Sequence, residues 1–162
     1  FRLDDLSDIR LSAGLGGGSL WDVGCYPVNL IGMLMGEEPE EVCALKTERQ
    51  GVDDALSAVL RYKNGVIAAV HSGLNSHSCM FTEINGDAGT LLIRDSFDQT
   101  TTPILLVKEG DAAAIPVAPS KRYVGEVEDF SEAILKDREP GFSLAETRRN
   151  TGVILRILEA AR

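Results

Sequence analysis

Apolar and polar residues follow two different periods along this chain of 162 residues, and the change of period divides it. Residues 1–15 are polar and irregular. From Ser19 onward apolar positions recur at helical spacing as far as Met35, with Pro27 in their midst. Ser19 and Asp22 have the S-x-x-D form of a helix start. Proline brings no amide donor, and its ring clashes with the turn before it. The pattern therefore predicts a helical turn over 19–25, a joint near Tyr26, and a helix from Pro27 to Met35. Pro27 would take the first position it favours, and Gly36 the C-cap.

After Gly36 the period falls to two. Residues 41–48, 55–62, 66–72, 80–85 and 90–94 read as strands, with 104–108 as a weaker one. Asn64 and Gly65 form the strongest hairpin signal, and Asp87, Ala88 and Gly89 mark a second tight turn. Asp53 and Asp54 read as a turn, 95–102 as a polar loop and 110–120 as a Pro/Ala loop. Two helices close the chain. Val124, Val127, Phe130, Ile134 and Leu135 give the first an apolar stripe, with acids early and bases late to suit the helix dipole. Ser143 and Glu146 open the second with a capping box, and Leu144, Ile154, Ile157, Leu158 and Ala161 supply its stripe. Strands grouped between helices indicate an α+β fold with a large, predominantly antiparallel open sheet. Leu56, Ala58 and Leu60 fall on one face of a strand, Ala55 and Val59 on the other. Helices on one face leave the second available for association with another domain or a second copy.

Composition narrows the function classes. With 44% apolar and 25% charged residues the chain is of ordinary globular make-up. A net charge of −9 argues against nucleic acid as a partner. Cys25, Cys43 and Cys79 are too few and too scattered for a disulfide framework or a zinc site, which fits a reducing cytoplasm. No apolar run reaches the length of a membrane span. The opening Phe1-Arg2-Leu3-Asp4-Asp5, without an initiator Met, leads us to expect part of a longer chain.

The densest chemistry lies in 16–29. Asp22 precedes Tyr26 by four residues, after glycines able to bend sharply and admit a ligand to the backbone. Asp22 reads either as a first-turn acid reaching back to Ser19 or as a carboxylate that positions a hydroxyl or orients Tyr26. Tyr26 reads as a half-buried ring with its hydroxyl at the rim, or as a general acid/base that needs a cation beside it. Asn29 can share the Tyr26 face of the helix or serve as a surface amide. Arg10 can meet a phosphate or carboxylate ligand, or simply a surface acid. The run Gly14-Leu15-Gly16-Gly17-Gly18 is not a dinucleotide loop, because no strand precedes it and Ser19 stands where the final glycine belongs. His71 and His77 lack metal-ligand spacing, and His71 is expected on a sheet face.

Ile9-Arg10-Leu11, followed by Gly16-Gly17-Gly18-Ser19-Leu20-Trp21-Asp22-Val23-Gly24-Cys25-Tyr26-Pro27, resembles the signature of the glucose–fructose oxidoreductase / inositol dehydrogenase (Gfo/Idh/MocA) family. Weaker matches follow at Gly36-Glu37-Glu38-Pro39, at Glu83 to Thr90, and around Phe130 and Leu158. The resemblance implies a single C-terminal substrate and dimerisation domain over 1–162, paired in the parent with an N-terminal Rossmann domain absent here. It implies hydride transfer between NAD or NADP and a hydroxyl-bearing carbon of a sugar, polyol or diol. Tyr26 would be the proton donor or acceptor, aided by a Lys from a Glu-Lys-Pro motif in the other domain. Asp22 would hold the substrate or tune that pair, with Asn29, Arg10 and Trp21 on the substrate side. Neither the Glu-Lys-Pro nor the Rossmann fingerprint occurs in this chain. We therefore expect no cofactor bound by this chain, no dehydrogenase activity of its own, and homodimerisation through the spare sheet face. The alternative expectation is a non-catalytic binding or dimerisation domain that retained the fold.

Overall fold

Strand β1 (Glu41–Arg49) turns back into β2 (Val52–Arg61) through Gln50 and Gly51. Both turn residues lie at positive φ, 54° and 81°. A two-residue turn of this hand matches the twist of the strands it joins. The turn is thus at Gln50 and Gly51, and Asp53 and Asp54 belong to β2, contrary to the sequence expectation. Asn64 and Gly65 make the second turn as expected, leading into β3 (Ile67–Gly73), and the three strands form an antiparallel sheet in the order β1-β2-β3. The computed structural model describes residues 1–99 and 101–162, so Thr100, inside the loop expected over 95–102, lies outside the described residues.

Two compact units emerge from the chain, Phe1–His77 with Phe142–Arg162, and Ser78–Gly141. In the first, helices α1 (Cys25–Met35) and α3 (Leu144–Ala160) cover one face of the sheet. The core joins Leu56, Ala58 and Leu60 of β2 and Val70 of β3 to Leu20, Val28, Val153, Ile154 and Ile157. The chain end closes the layer, where Ala161 bridges to Ala44 and the Lys46 amide donates to the Arg162 carbonyl at 3.1 Å. Arg156 of α3 donates to the Pro39 carbonyl at 2.6 Å and Arg149 to the Gly36 carbonyl at 3.1 Å, so α3 satisfies the backbone just beyond α1. The opposite sheet face stays bare, with Leu45 70% and Ile67 66% exposed.

The second unit is a four-stranded antiparallel meander, β4 (Phe81–Gly86), β5 (Gly89–Arg94), β6 (Ile104–Lys108) and β7 (Asp111–Ile115), followed by α2 (Val124–Leu135). Strand β7 corrects the loop expected over 110–120. Its Ala112, Ala113 and Ala114 are poor strand formers, but every one pairs with β6 across the tight turn at Glu109 and Gly110. The antiparallel α+β class is as the sequence indicates, with hydrogen bonds grouping the strands as three and four. The stripe expected on α2 is not buried, and that of α3 is buried except at its first residue. Val127, Phe130, Ile134 and Leu135 of α2 are exposed, as is Leu144 in the first turn of α3. Periodicity reports which face of a helix is apolar, not whether anything covers it.

Candidate functional site

The helix that carries the site ends at Met35 with Gly36 as its C-cap, as expected, but it is unbroken where the sequence suggests a joint. Leu20–Gly24 forms a π-helical turn and passes without a break into α1. No joint occurs at Tyr26, and Pro27 sits inside the continuous helix rather than at its first position. The physical reason is the π turn, where the helix carries an extra residue per turn. The wider turn meets the ring and the missing donor of Pro27 where a regular α-turn would clash.

Ser19 does not cap this helix. It has helical φ and ψ, and its side chain makes no cap bond. Its buried hydroxyl donates instead to Asp53 Oδ2 at 2.7 Å and lies 2.9 Å from the Ser72 hydroxyl. The Leu20 amide donates to the same Asp53 oxygen at 2.7 Å. Asp53 is 5% exposed. It went unrecognised in the sequence because its partner lies 34 residues away. The one local sign was an acid following Val52 at the start of a strand whose other inward positions are apolar.

The glycine run also differs from its reading. A Cβ on Gly17 would come within 2.4 Å of the Arg10 carbonyl oxygen, and one on Gly18 within 2.2 Å of Asp53 Oδ1. These two glycines are close approaches of the chain to itself, not openings for a ligand. Only Gly14 and Gly16 of the run face open space, Gly16 at φ +74°.

Ile9, Arg10, Leu15, Gly16, Trp21 and Asp22 line an open cavity of about 210 Å³ with Gly17 and Gly18. On its wall the Arg10 Nε–H donates to Asp22 Oδ1 at 2.9 Å. Arg10 also reaches Asp8 at 3.3 Å and lies 5.9 Å over the Phe1 ring. Asp22 thus takes an arginine, not the Ser19 backbone. The hydrogen bond that Arg10 donates to Asp22, more than the charge of the carboxylate, holds the guanidinium pKa above the ordinary value. Burial pushes the Cys25 thiol up, and the Asp22 charge adds to the shift. Trp21 is partly buried against the core while also lining the cavity.

Tyr26 is 50% exposed on α1 and is not part of that cavity wall. Asn29 lies elsewhere again. Its amide donates weakly to Met33 Sδ at 3.9 Å, and it lines a crevice of about 10 Å³ with Glu37, Tyr62 and Arg149. Such a crevice has room for about one water. The structure therefore groups Arg10, Trp21 and Asp22, and leaves Asn29 in a separate recess. His71 occupies the exposed sheet face as expected, 2.9 Å from the Ser57 hydroxyl.

A family model described as the GFO/IDH/MocA C-terminal domain matches residues 1–92. The chain belongs to the Gfo/Idh/MocA family. D-xylose 1-dehydrogenase (NADP(+)) 2 of Haloferax volcanii is 30% identical over 166 residues, which is 99% of this chain and 50% of that protein. A dTDP-3,4-didehydro-2,6-dideoxy-α-D-glucose 3-reductase of Actinomadura kijaniata is 28% identical over 82% of the chain and 42% of the enzyme. The chain thus spans about half the length of the curated relatives it matches. Among solved structures, the aldose-aldose oxidoreductase of Caulobacter crescentus complexed with glycerol superposes with a TM-score of 0.86 at 27% identity, covering 99% of this chain and 50% of that one. The A. kijaniata 3-ketoreductase KijD10, in complex with NADP and TDP-benzene, gives 0.91 at 24%, covering 100% of this chain and 51% of that one, a likeness of fold.

The glycine run of this Gfo/Idh/MocA domain does not offer a dinucleotide phosphate site. Phosphates bind at glycine-rich turns that open a helix. Here that position is filled by the Asp53 carboxylate, and Gly17 and Gly18 are packed against the chain's own backbone and side chains. A second negative charge has no place there.

Proposed function

We propose that this chain is the substrate-side, C-terminal domain of a two-domain NAD(P)-dependent oxidoreductase that acts on a hydroxyl carbon of a sugar, polyol or diol. Its support is the open cavity walled by Trp21 and the Arg10–Asp22 pair, on the same helix as the exposed Tyr26. The relatives' activities, a xylose dehydrogenase and a deoxyketosugar reductase, agree with that chemistry.

The reading assigns each group a task. A polyol presents C–H faces and hydroxyl edges. The Trp21 ring offers a flat apolar surface to the former, and the Asp22 carboxylate accepts hydrogen bonds from the latter. Arg10 holds the Asp22 carboxylate in place through its Nε–H bond, so the acceptor is already oriented when substrate arrives. Tyr26 exchanges the proton at the reacting oxygen. In reduction its phenol donates to the oxygen of the carbonyl as the carbon receives hydride; in oxidation its phenolate takes the proton from the alcohol. A nicotinamide held by the other half of the protein would supply or accept the hydride. A lysine from that half would lower the phenol pKa towards neutrality. This chain alone binds no dinucleotide and turns nothing over. Its free thiols at Cys25, Cys43 and Cys79 suit the cytoplasm, and it pairs with a second copy through the bare face of the β1–β3 sheet.

The test uses the full-length protein. Sugar or polyol oxidation, followed by nicotinamide absorbance, should fall about 10²-fold or more in kcat for Tyr26→Phe, with dinucleotide affinity unchanged. Equal turnover in the variant and the parent protein would remove the phenol from the reaction.

A further inference from the structure

The start of the site helix presents amides that need acceptors, and its own first residue provides none. The acceptor comes from the sheet. Asp53 of β2 receives the Leu20 amide and the Ser19 hydroxyl, each at 2.7 Å, on one oxygen. Its other oxygen lies where a Gly18 side chain would begin. Ser72 of β3 meets the Ser19 hydroxyl at 2.9 Å. Gly24, at the far end of the π turn, also rests on Ser72, where a Cβ would come within 3.1 Å of its side chain. The π turn is therefore pinned at both ends, and between the pins it carries Trp21 and Asp22.

We propose that Asp53, with Ser19, is the positioning residue of the substrate site. It sets the helix start against the sheet, and so sets where Asp22 and Tyr26 stand towards a bound substrate. A buried carboxylate is an expensive anchor unless its position matters, since its desolvation must be offset by its partners. Asp53 answers the positive end of the helix with charge as well as with hydrogen bonds. Its neighbour Asp54 is held by Arg49 at 2.7 Å, so the two adjacent acids have separate tasks. Proton transfer tolerates little displacement, and a shift of about 1 Å costs on the order of 10²-fold in rate.

This inference rests on the oxidoreductase reading above, and the experiment separates the two. In the full-length protein Asp53→Asn keeps the shape and one acceptor oxygen but removes the charge set against the helix start and puts an NH₂ beside the tightly packed Gly18. Its kcat should fall about 10- to 10²-fold, with substrate KM and dinucleotide affinity within about twofold of the parent. In a Tyr26→Phe background the same change should cost no more than about twofold further, because a misplaced phenol and an absent one are equivalent. Ser19→Ala, a milder loss, should move kcat the same way and serves if Asp53→Asn does not fold. A folded variant with unchanged kcat, or losses that multiply in the double variant, would overturn the proposal. If Tyr26→Phe leaves kcat intact, the function reading fails alone. Hydrogen exchange then decides the anchor: the Leu20 amide should lose protection at least about tenfold in Asp53→Asn, and unchanged protection refutes it.

Discussion

At the scale of single residues, glycine has opposite meanings within one helix. Gly24 is buried, and a Cβ there would lie 2.7 Å from Leu20 Cδ1 and 3.1 Å from Ser72. Gly32, two turns on, has nothing within 4 Å of such an atom. Gly24→Ala should therefore destabilise the protein by about 1–3 kcal/mol through overpacking. Gly32→Ala should stabilise it by about 0.5–1 kcal/mol, by relieving the entropy cost of a mid-helix glycine. Urea unfolding of both variants checks the pair, and a shared sign would refute this account of the two positions. Asp22 and Arg10 carry a similar lesson. The carboxylate was legible as candidate chemistry, but its partner lies 12 residues upstream and was one option among several until the fold joined them.

At the scale of elements, strong local signals held and interrupted ones did not. Ser143 and Glu146 form the full capping box foreseen for α3, the Ser143 amide donating to Glu146 at 2.8 Å and the Glu146 amide to Ser143 at 3.2 Å. The Ser143 amide and then its hydroxyl hold the Glu146 carboxyl below its ordinary value of 4.5. A lowered carboxyl stabilises fully above its unfolded pKa, and that contribution disappears as pH falls through the folded one. Protection of the first α3 amides should thus be flat from about pH 7 to about pH 5 and decline in more acid solution. Glu146→Gln should abolish that step, and its persistence in the variant would assign it to another group. The site helix gave the opposite result. Pro27 was read by the ordinary rule for an α-helix, and a π turn just before it changes the rule. Nothing local announces a π turn, because it is stabilised by what packs on it, here Ser72 and the core around Leu20.

At the scale of the whole molecule, the bare face of the β1–β3 sheet decides the expected assembly. Val59 sits between Cys43 and Ala69 in register, with Leu45 and Ile67 on the same exposed face. A stable pairing of two such faces would bury on the order of 1,200 Å² or more. The protein should be a dimer at micromolar concentration by light scattering, and Val59→Asp should shift it to the monomer without altering its circular dichroism. Labelling of Cys43 should slow as the dimer forms, while Cys79, outside that sheet, should label at the same rate. A monomeric parent protein would remove the pairing.

Periodicity and turn chemistry were enough to determine the α+β class, the three helices and six of the seven strands, since each depends on neighbours a few residues apart. The short motif around Asp22 and Tyr26 was likewise enough to mark the family and the helix that bears the site. Tertiary structure alone decided which faces are covered, so that β2 is buried on one side while α2 and Leu144 stand exposed. It also decided what the glycines are for and which acid holds the helix. Those answers depend on contacts such as Gly18 with Asp53 and Ser19 with Ser72, where packing in three dimensions rather than spacing along the chain chooses the partner.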